Sequence, residues 1–254
     1  MSRLKMETSR RISRRQTGNE RAYADILKLI DDWQLAGPRN GGATDSTRFV
    51  RALLSFPADD SFMDRIYEIW CIHRIASCLS NLGATCLEGP LPLTMSRNRP
   101  IYTFQIGEDC IRILFQRSLD GGSAVWNYEA SGKYLQGIPD ITIVANDRHF
   151  LLVDAKNRLV SSNTRSEETY KMLGYFENFR PILRGSSSWG MLAFVSFNKF
   201  YQILQSLTGR RMIMISADPC SRSDCAFEAQ FTKLFLEWAD VWKEAGSQTA
   251  TNGF

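Results

Sequence analysis

The chain has 254 residues, 44% of them hydrophobic and 23% charged, with a formal net charge of +4. These are the proportions of an ordinary soluble globular protein, and the mild charge by itself selects no partner. The apolar runs, such as that from Met191 to Val195, fall far short of the roughly 20 residues a membrane-spanning helix needs, so no membrane association is expected.

The N-terminus is basic. Residues 1–21 hold seven arginines and lysines against two glutamates, an arm that either binds nucleic-acid phosphates or stays a solvated, flexible leader. No apolar stretch of secretory type follows it, so the expected location is the cytoplasm. Residues 21–35 place Ala22, Ile26, Leu27, Leu29, Ile30 and Trp33 at helical spacing. The segment GPRNGGATDS at 37–46 then breaks the pattern. A helical extension over 1–45 is therefore expected ahead of a main domain over 46–254, with a further short helix at 47–54.

Ser61 is a plausible N-cap for a long helix, with Asp64 close to a capping-box position and Gly83 as its stop. Its apolar residues, among them Ile66, Ile69, Trp70, Ile72, Ile75 and Leu79, cover most of the circumference, which predicts burial on more than one side. Cys71 and Cys78, seven apart on this helix, read as core packing. With two histidines and no C-x-x-C pair in the chain, the six cysteines are read as reduced, buried thiols rather than as a zinc site.

From about residue 101 the period changes to two. YTFQI and IRILFQR flank Gly107-Glu108-Asp109 and read as a hairpin. After a Gly- and Ser-rich loop, strands are expected over Asp140–Ala145 and His149–Lys156, joined by Asn146-Asp147-Arg148, residue types that tolerate left-handed backbone. Residues 159–168 are polar and predict a mobile loop. Helical character over Glu167–Phe179 ends before Pro181. WGMLAFVSF and RMIMISADP predict inner strands of a covered sheet. Cys225–Ala245 predicts an amphipathic helix with Phe227, Phe231, Leu234, Phe235, Trp238 and Trp242 on its inner face, and the last nine residues are expected to be disordered. The order is that of an α/β domain, a central mixed β-sheet flanked by helices.

The segment IPDITIVANDRHFLLVDAKNR at 138–158 sets charged residues among strand residues, and a buried charge is costly unless it is paired. A turn centred on Asp147 puts Asp140 directly across from Asp154, where opposed Cβ atoms lie roughly 5 Å apart. Two carboxylates that close repel, and a divalent cation is the usual remedy; Mg²⁺ prefers carboxylate oxygens and keeps waters for substrate phosphates. Alternation places Asp154 and Lys156 on one face and Val153 and Ala155 on the other. A lysine beside such a metal orients or helps deprotonate a water and meets the charge that builds on a phosphate. Two acids, a lysine and a metal make a hydrolytic site for phosphodiesters.

Pro139-Asp140, a gap of thirteen residues, and then Asp154-Ala155-Lys156 resemble the PD-(D/E)xK nuclease superfamily. The runs ITIV and FLLV resemble its core strands. The helix MDRIYEIWCIHRIASCLSNLG is similar to the one before the core in McrC and its relatives, where a glutamate in a Tyr-Glu-x-Trp setting joins the site; Glu68 matches it. TYKMLGY resembles the RecB-type Gln-x-x-x-Tyr motif, with Tyr175 on the tyrosine and Lys171 where the glutamine stands, a departure that keeps reach to DNA phosphate. The resemblance implies a restriction-endonuclease-like core and a metal-dependent DNA nuclease that leaves a 3′-hydroxyl and a 5′-phosphate. Asp140, Asp154, Glu68 and the carbonyl of Ala155 would hold Mg²⁺, or Mn²⁺ in its place, and Lys156 would assist the water. Lys171, Tyr175, Arg158 and Arg165 are candidates for DNA contact. The bacterial defence setting of McrC relatives further implies an anti-phage role with a motor ATPase or other defence subunits as partners, and homo-oligomerisation stays open.

Each assignment has a plainer alternative. Glu68 would serve as a helix-surface partner of Arg65 or Arg74, Tyr175 as core, and Lys171, Arg158 and Arg165 as solvated charges. His149 reads as a surface residue beside a turn. At the level of function the alternatives are a nuclease acting on RNA or in repair or transposition, and a degenerate nuclease fold kept for DNA binding or assembly.

Overall fold

The computed structural model describes residues 60–91, 99–117, 119, 125–135, 137–159, 162–184, 186–195, 201–219 and 225–251; within these, the side chains at 60–63, 159, 162–165, 225–226 and 243–251 lie outside the description. The expected helices at 21–35 and 47–54, and the boundary at 45/46, fall outside the described residues.

Helix α1 (Asp60–Asn81) leads through β1 (Thr85–Glu88), β2 (Tyr102–Ile106), β3 (Asp109–Phe115), β4 (Ile141–Ala145) and β5 (His149–Leu159) to helix α2 (Ser162–Asn178) and the short α3 (Arg180–Leu183). Then follow β6 (Ser188–Val195), β7 (Tyr201–Gln205), β8 (Arg211–Ser216) and helix α4 (Cys225–Thr251). The strands form one eight-stranded sheet in the order β1-β2-β3-β4-β5-β6-β8-β7. β1 to β5 form an antiparallel meander, β5–β6 and β6–β8 are parallel, and β7 closes the edge antiparallel to β8. The protein is thus α/β with a central mixed sheet flanked by helices.

Two apolar layers hold it. On one face, α1 and α4 pack on Ile111, Ile113, Ile141, Ile143, Leu151, Val153, Met191 and Ile213. On the other, Met172, Tyr175, Phe176 and Phe179 of the α2 region cover Val144, Phe150, Leu152, Leu192 and Met214. The stripe expected on α4 is buried as read, from Phe227 to Trp242. Gly83 ends the first helix in left-handed backbone at φ +87°, as its sequence position predicts.

Some expectations differ. α2 starts at Ser162 where a mobile loop over 159–168 is expected: the sequence from Ser162 to Glu168 is polar, so no apolar stripe announces it, yet Glu168 is buried. α2 ends at Asn178, ahead of Pro181 as expected, and Pro181 itself sits in the first turn of the separate α3, where its missing N–H costs nothing. α4 continues to Thr251, into the stretch of nine residues expected to be disordered, the last three of which lie outside the described residues. Strands β1 and β7 have no signal in the sequence because both are exposed edges, without the apolar alternation of a half-buried strand. Cys71 and Cys78 are buried, but Cys86, on edge strand β1, is exposed. His149 is buried against Trp242 rather than at the surface.

Candidate active site

The β4–β5 hairpin supplies the centre. Asn146 and Asp147 both take left-handed backbone (φ 50° and 62°), which the Asn-Asp pair tolerates better than most residues. The register pairs Ala145 with His149 and Ile141 with Val153. Continued by one step, it brings Asp140, just ahead of β4, level with Asp154, as the turn position predicts. Alternation then points Asp154 to the α2 face with Phe150 and Leu152, while Val153 and Ala155 enter the opposite core.

Asp140 is fixed from two sides. The Ala155 N–H donates to its Oδ2 at 2.9 Å, and the Gln116 N–H donates to its carbonyl at 2.9 Å. Lys156 stands among the acids: its Nζ is 2.8 Å from Asp154 Oδ2 and 3.6 Å from Asp140 Oδ2. A third carboxylate, Glu168 on α2, has Oε2 3.6 Å from the same amine. Lys171, also on α2, donates to Asp154 Oδ1 at 2.7 Å.

Glu68 arrives from α1 on the other layer. Its Oε2 accepts from Arg65 and from Gln116 Nε2, each at 2.9 Å. Burial pushes its carboxyl up to about 8, with the Asp140 charge adding and Arg65 and Lys156 opposing. Burial, then the Asp154 charge, likewise pushes Asp140 up to about 6 against Lys156 and Lys171. The amine of Lys171 loses by burial but gains more from Asp154, so it is raised overall. Glu68 and Asp140 thus hold their protons more tightly than ordinary carboxyls, and a cation placed beside them would favour their charged forms.

All three members of the acid-acid-lysine reading, Asp140, Asp154 and Lys156, come together, and Glu68 is electrostatically joined to them. The proposed nucleic-acid contacts are placed differently from solvated charges. Lys171 is held on Asp154, and Arg158 is paired with Glu168 and lies within 4.0 Å of Glu167. Tyr175 is buried, with its hydroxyl donating to the Ile138 carbonyl at 2.9 Å. Burial and the nearby aspartates push that phenol well above its ordinary value, so it stays a donor. The side chain of Arg165 lies outside the described residues.

Sequence reasoning missed Glu168 and Gln116. Glu168, Lys171 and Tyr175 are spaced i, i+3, i+7, one face of a helix, a signal that a loop assignment over 159–168 hides. Gln116 carries positive φ (43°) just past β3, which nothing in the sequence announces.

The donor set fits a hard divalent cation. The oxygens are carboxylates and a backbone carbonyl, and Mg²⁺ uses only one or two protein carboxylates, filling its shell with waters and substrate phosphates. The buried Asp154 Oδ2, although close to Lys156, is outside hydrogen-bonding geometry and has no hydrogen-bond partner, and Glu168 Oε2 shares that condition. Among the described residues, no three His, Cys, Asp or Glu are grouped as ready-made ligands, so the fit concerns the Asp140–Asp154 pair with Ala155 between it and Lys156.

No family model matches the chain. No curated protein matches it either. Among solved structures, one chain of an assembly of Thermococcus gammatolerans McrB AAA+ hexamers with bound McrC is similar at 12% identity and a TM-score of 0.39, over 68% of this chain and 33% of that one. The chain thus spans about a third of the length of that neighbour. No helix among the described residues is long and apolar enough to cross a membrane.

Proposed function

We propose that the protein is a Mg²⁺-dependent nuclease of the restriction-endonuclease-like fold, hydrolysing phosphodiester bonds of DNA. The observation that carries this reading is the placement of Lys156 between Asp140 and Asp154 at the end of a tight β-hairpin. Asp140 and Asp154 would hold the cation, with the Ala155 carbonyl and Glu68 in support, and the cation would supply Lewis-acid charge to the phosphate. Lys156 orients the attacking water and meets negative charge as it builds on the phosphoryl oxygens. Lys171 and Glu168 fix Lys156 and Asp154 from the α2 side, so the amine is held before substrate arrives. The resemblance to McrC relatives extends the reading, by analogy alone, to a cytoplasmic effector of a bacterial restriction or anti-phage system working beside a motor ATPase.

One observation favours a second reading, a degenerate nuclease fold that binds DNA or assembles with partners. Every carboxylate of the cluster already touches a cation: Glu68 touches Arg65, Asp140 touches Lys156, Asp154 touches both lysines, and Glu168 touches Arg158. Purified protein assayed on DNA and on RNA, with Mg²⁺ and with chelator, separates the two. Cleavage that needs the metal and falls about 10²–10⁴-fold in Lys156→Ala, the range for a positioned proton-transfer group, supports the nuclease. Binding without cleavage supports the degenerate fold, and cleavage of RNA alone moves the substrate assignment.

A further inference from the structure

A small hairpin over residues 125–135 stands off the body just ahead of Pro139-Asp140. Its two limbs pair through the Asn127–Tyr134 bridge, with the Tyr128 N–H donating to the Lys133 carbonyl at 2.8 Å and the Leu135 N–H to the Trp126 carbonyl at 2.7 Å. Among the described residues it is clamped at its base, by Asn178 at the end of α2. The carbonyl of Asn178 accepts from the Val125 N–H at 2.9 Å, and its Nδ2 donates to the Leu135 carbonyl at 2.7 Å. All of its residues are exposed, Trp126 to 58% and Tyr128 to 59%. Large aromatic rings displayed on a free-standing arm are out of keeping with a surface that has no ligand.

The pairing fixes which side chains share a face. Trp126 lies opposite Leu135 and Tyr128 opposite Lys133, so two rings, an aliphatic side chain and an ammonium group line one side, while Asn127 and Tyr134 take the other. Residues two apart on an extended strand have Cα atoms about 6.6 Å apart, which sets the span between side chains that stand parallel on one face. That is twice the ~3.4 Å spacing of stacked bases, the width that admits one planar base between two rings. A base inside a duplex is already stacked on both sides and cannot enter. Lys133 beside the rings suits the phosphate of the same nucleotide. The arm is also continuous with the catalytic cluster: Ile138, three residues past Leu135, is bonded to Tyr175, over whose ring Lys171 Nζ lies at 5.7 Å, and Lys171 holds Asp154.

We propose that the 125–135 hairpin is a base-stacking arm, in which Trp126 and Tyr128 take an unpaired nucleobase and Lys133 its phosphate, holding a single strand beside the Asp140–Asp154–Lys156 site. The placement beside a cleavage site rests on the nuclease reading; the stacking itself does not, and binding is therefore measured without cleavage. The full-length protein in chelator is titrated into labelled oligothymidylate and oligouridylate of about 20 nucleotides, longer than one single-strand site, and into a duplex of the same length. Trp126→Ala and Tyr128→Ala are each expected to weaken single-strand binding about tenfold, within the range one stacked base carries. Trp126→Phe is expected to restore most of it, and duplex binding to change by less than about twofold, since paired bases have no face to offer. Lys133→Ala is expected to lower the slope of log affinity on log salt by about 1. The tighter of the two homopolymers identifies DNA or RNA as the strand held. Unchanged melting temperatures check that the exposed substitutions leave the fold intact. An unaltered single-strand affinity in the double alanine variant, an equal loss on duplex, or no binding of any strand by the wild type, which would point to a protein on the arm, each overturns the proposal. Normal stacking with no cleavage under any metal leaves the arm standing and removes the nuclease reading alone.

Discussion

The two helical layers on the sheet solve opposite problems. The α1/α4 layer is dry at its middle: Phe231, Phe235, Trp238 and Trp242 follow one another in ring contacts of 4.8 to 6.3 Å. Two of its polar groups bond the backbone, Trp238 Nε1 the Ser187 carbonyl and Tyr67 the Ala217 carbonyl, while the buried Trp242 Nε1 has no hydrogen-bond partner among the described residues. The α2 layer buries a similar aromatic patch at one end, Phe176 and Phe179, but at the other it lowers Glu168 and Lys171 onto Asp154 and Lys156. A strand can pass from one regime to the other within its own length. β5 is apolar from Phe150 to Val153 and carries Asp154, Lys156 and Arg158 at alternate positions beyond. Non-directional burial of the first kind can supply the stability that a cluster of desolvated charges lacks.

Breaking the dry layer has the largest expected effect on stability. Trp238→Ala removes a fully buried indole and should cost about 3–5 kcal/mol, read as a lower midpoint in urea unfolding. On the charged side the losses are smaller. Glu168→Gln takes the close carboxylate from Arg158, while Lys156 keeps Asp154 and Asp140, and because Arg158 is partly exposed water takes up part of the cost. About 1–2 kcal/mol is expected, against no change if the pairing is incidental.

The pH dependence sharpens the contrast further. Glu68 and Asp140 have folded values above those of ordinary carboxyls, so both favour folding in their protonated forms. Their contribution is complete below about pH 4 and is lost as pH rises through about 6 for Asp140 and about 8 for Glu68. The melting temperature of metal-free protein should therefore decline across that window from these two groups, and Glu68→Gln should remove the upper part of the decline. A divalent cation bound by these acids should flatten the profile, and identical profiles with and without Mg²⁺ would speak against a metal site here. The smallest effect belongs to the surface. Glu177→Ala deletes the exposed partner of Arg180 and should move stability by less than about 0.5 kcal/mol.

What the sequence made legible follows the same division. The α4 stripe, the inner strands and the stop at Gly83 rest on periodicity and local backbone preference, and they read directly. The opposition of Asp140 and Asp154 was legible because a three-residue turn through Asn146 and Asp147 sets the register of everything beyond it. Partners drawn from distant elements were not. Lys171 stands out only through its place in a motif resemblance, and no local pattern at position 168 names β5 as its partner, since the pairing depends on where α2 crosses the sheet. Gln116 reaches Glu68 across 48 residues, and edge strand β7 bears no alternation because little of it is buried.

The most direct test of the site is cleavage of labelled DNA by purified wild-type protein and Asp154→Asn, each with Mg²⁺ and with chelator. The expected result is cleavage by the wild type with metal only, and none by Asp154→Asn although it still folds and still binds DNA. Cleavage retained in Asp154→Asn, or wild-type cleavage indifferent to chelator, would contradict a hydrolytic centre at Asp140, Asp154 and Lys156.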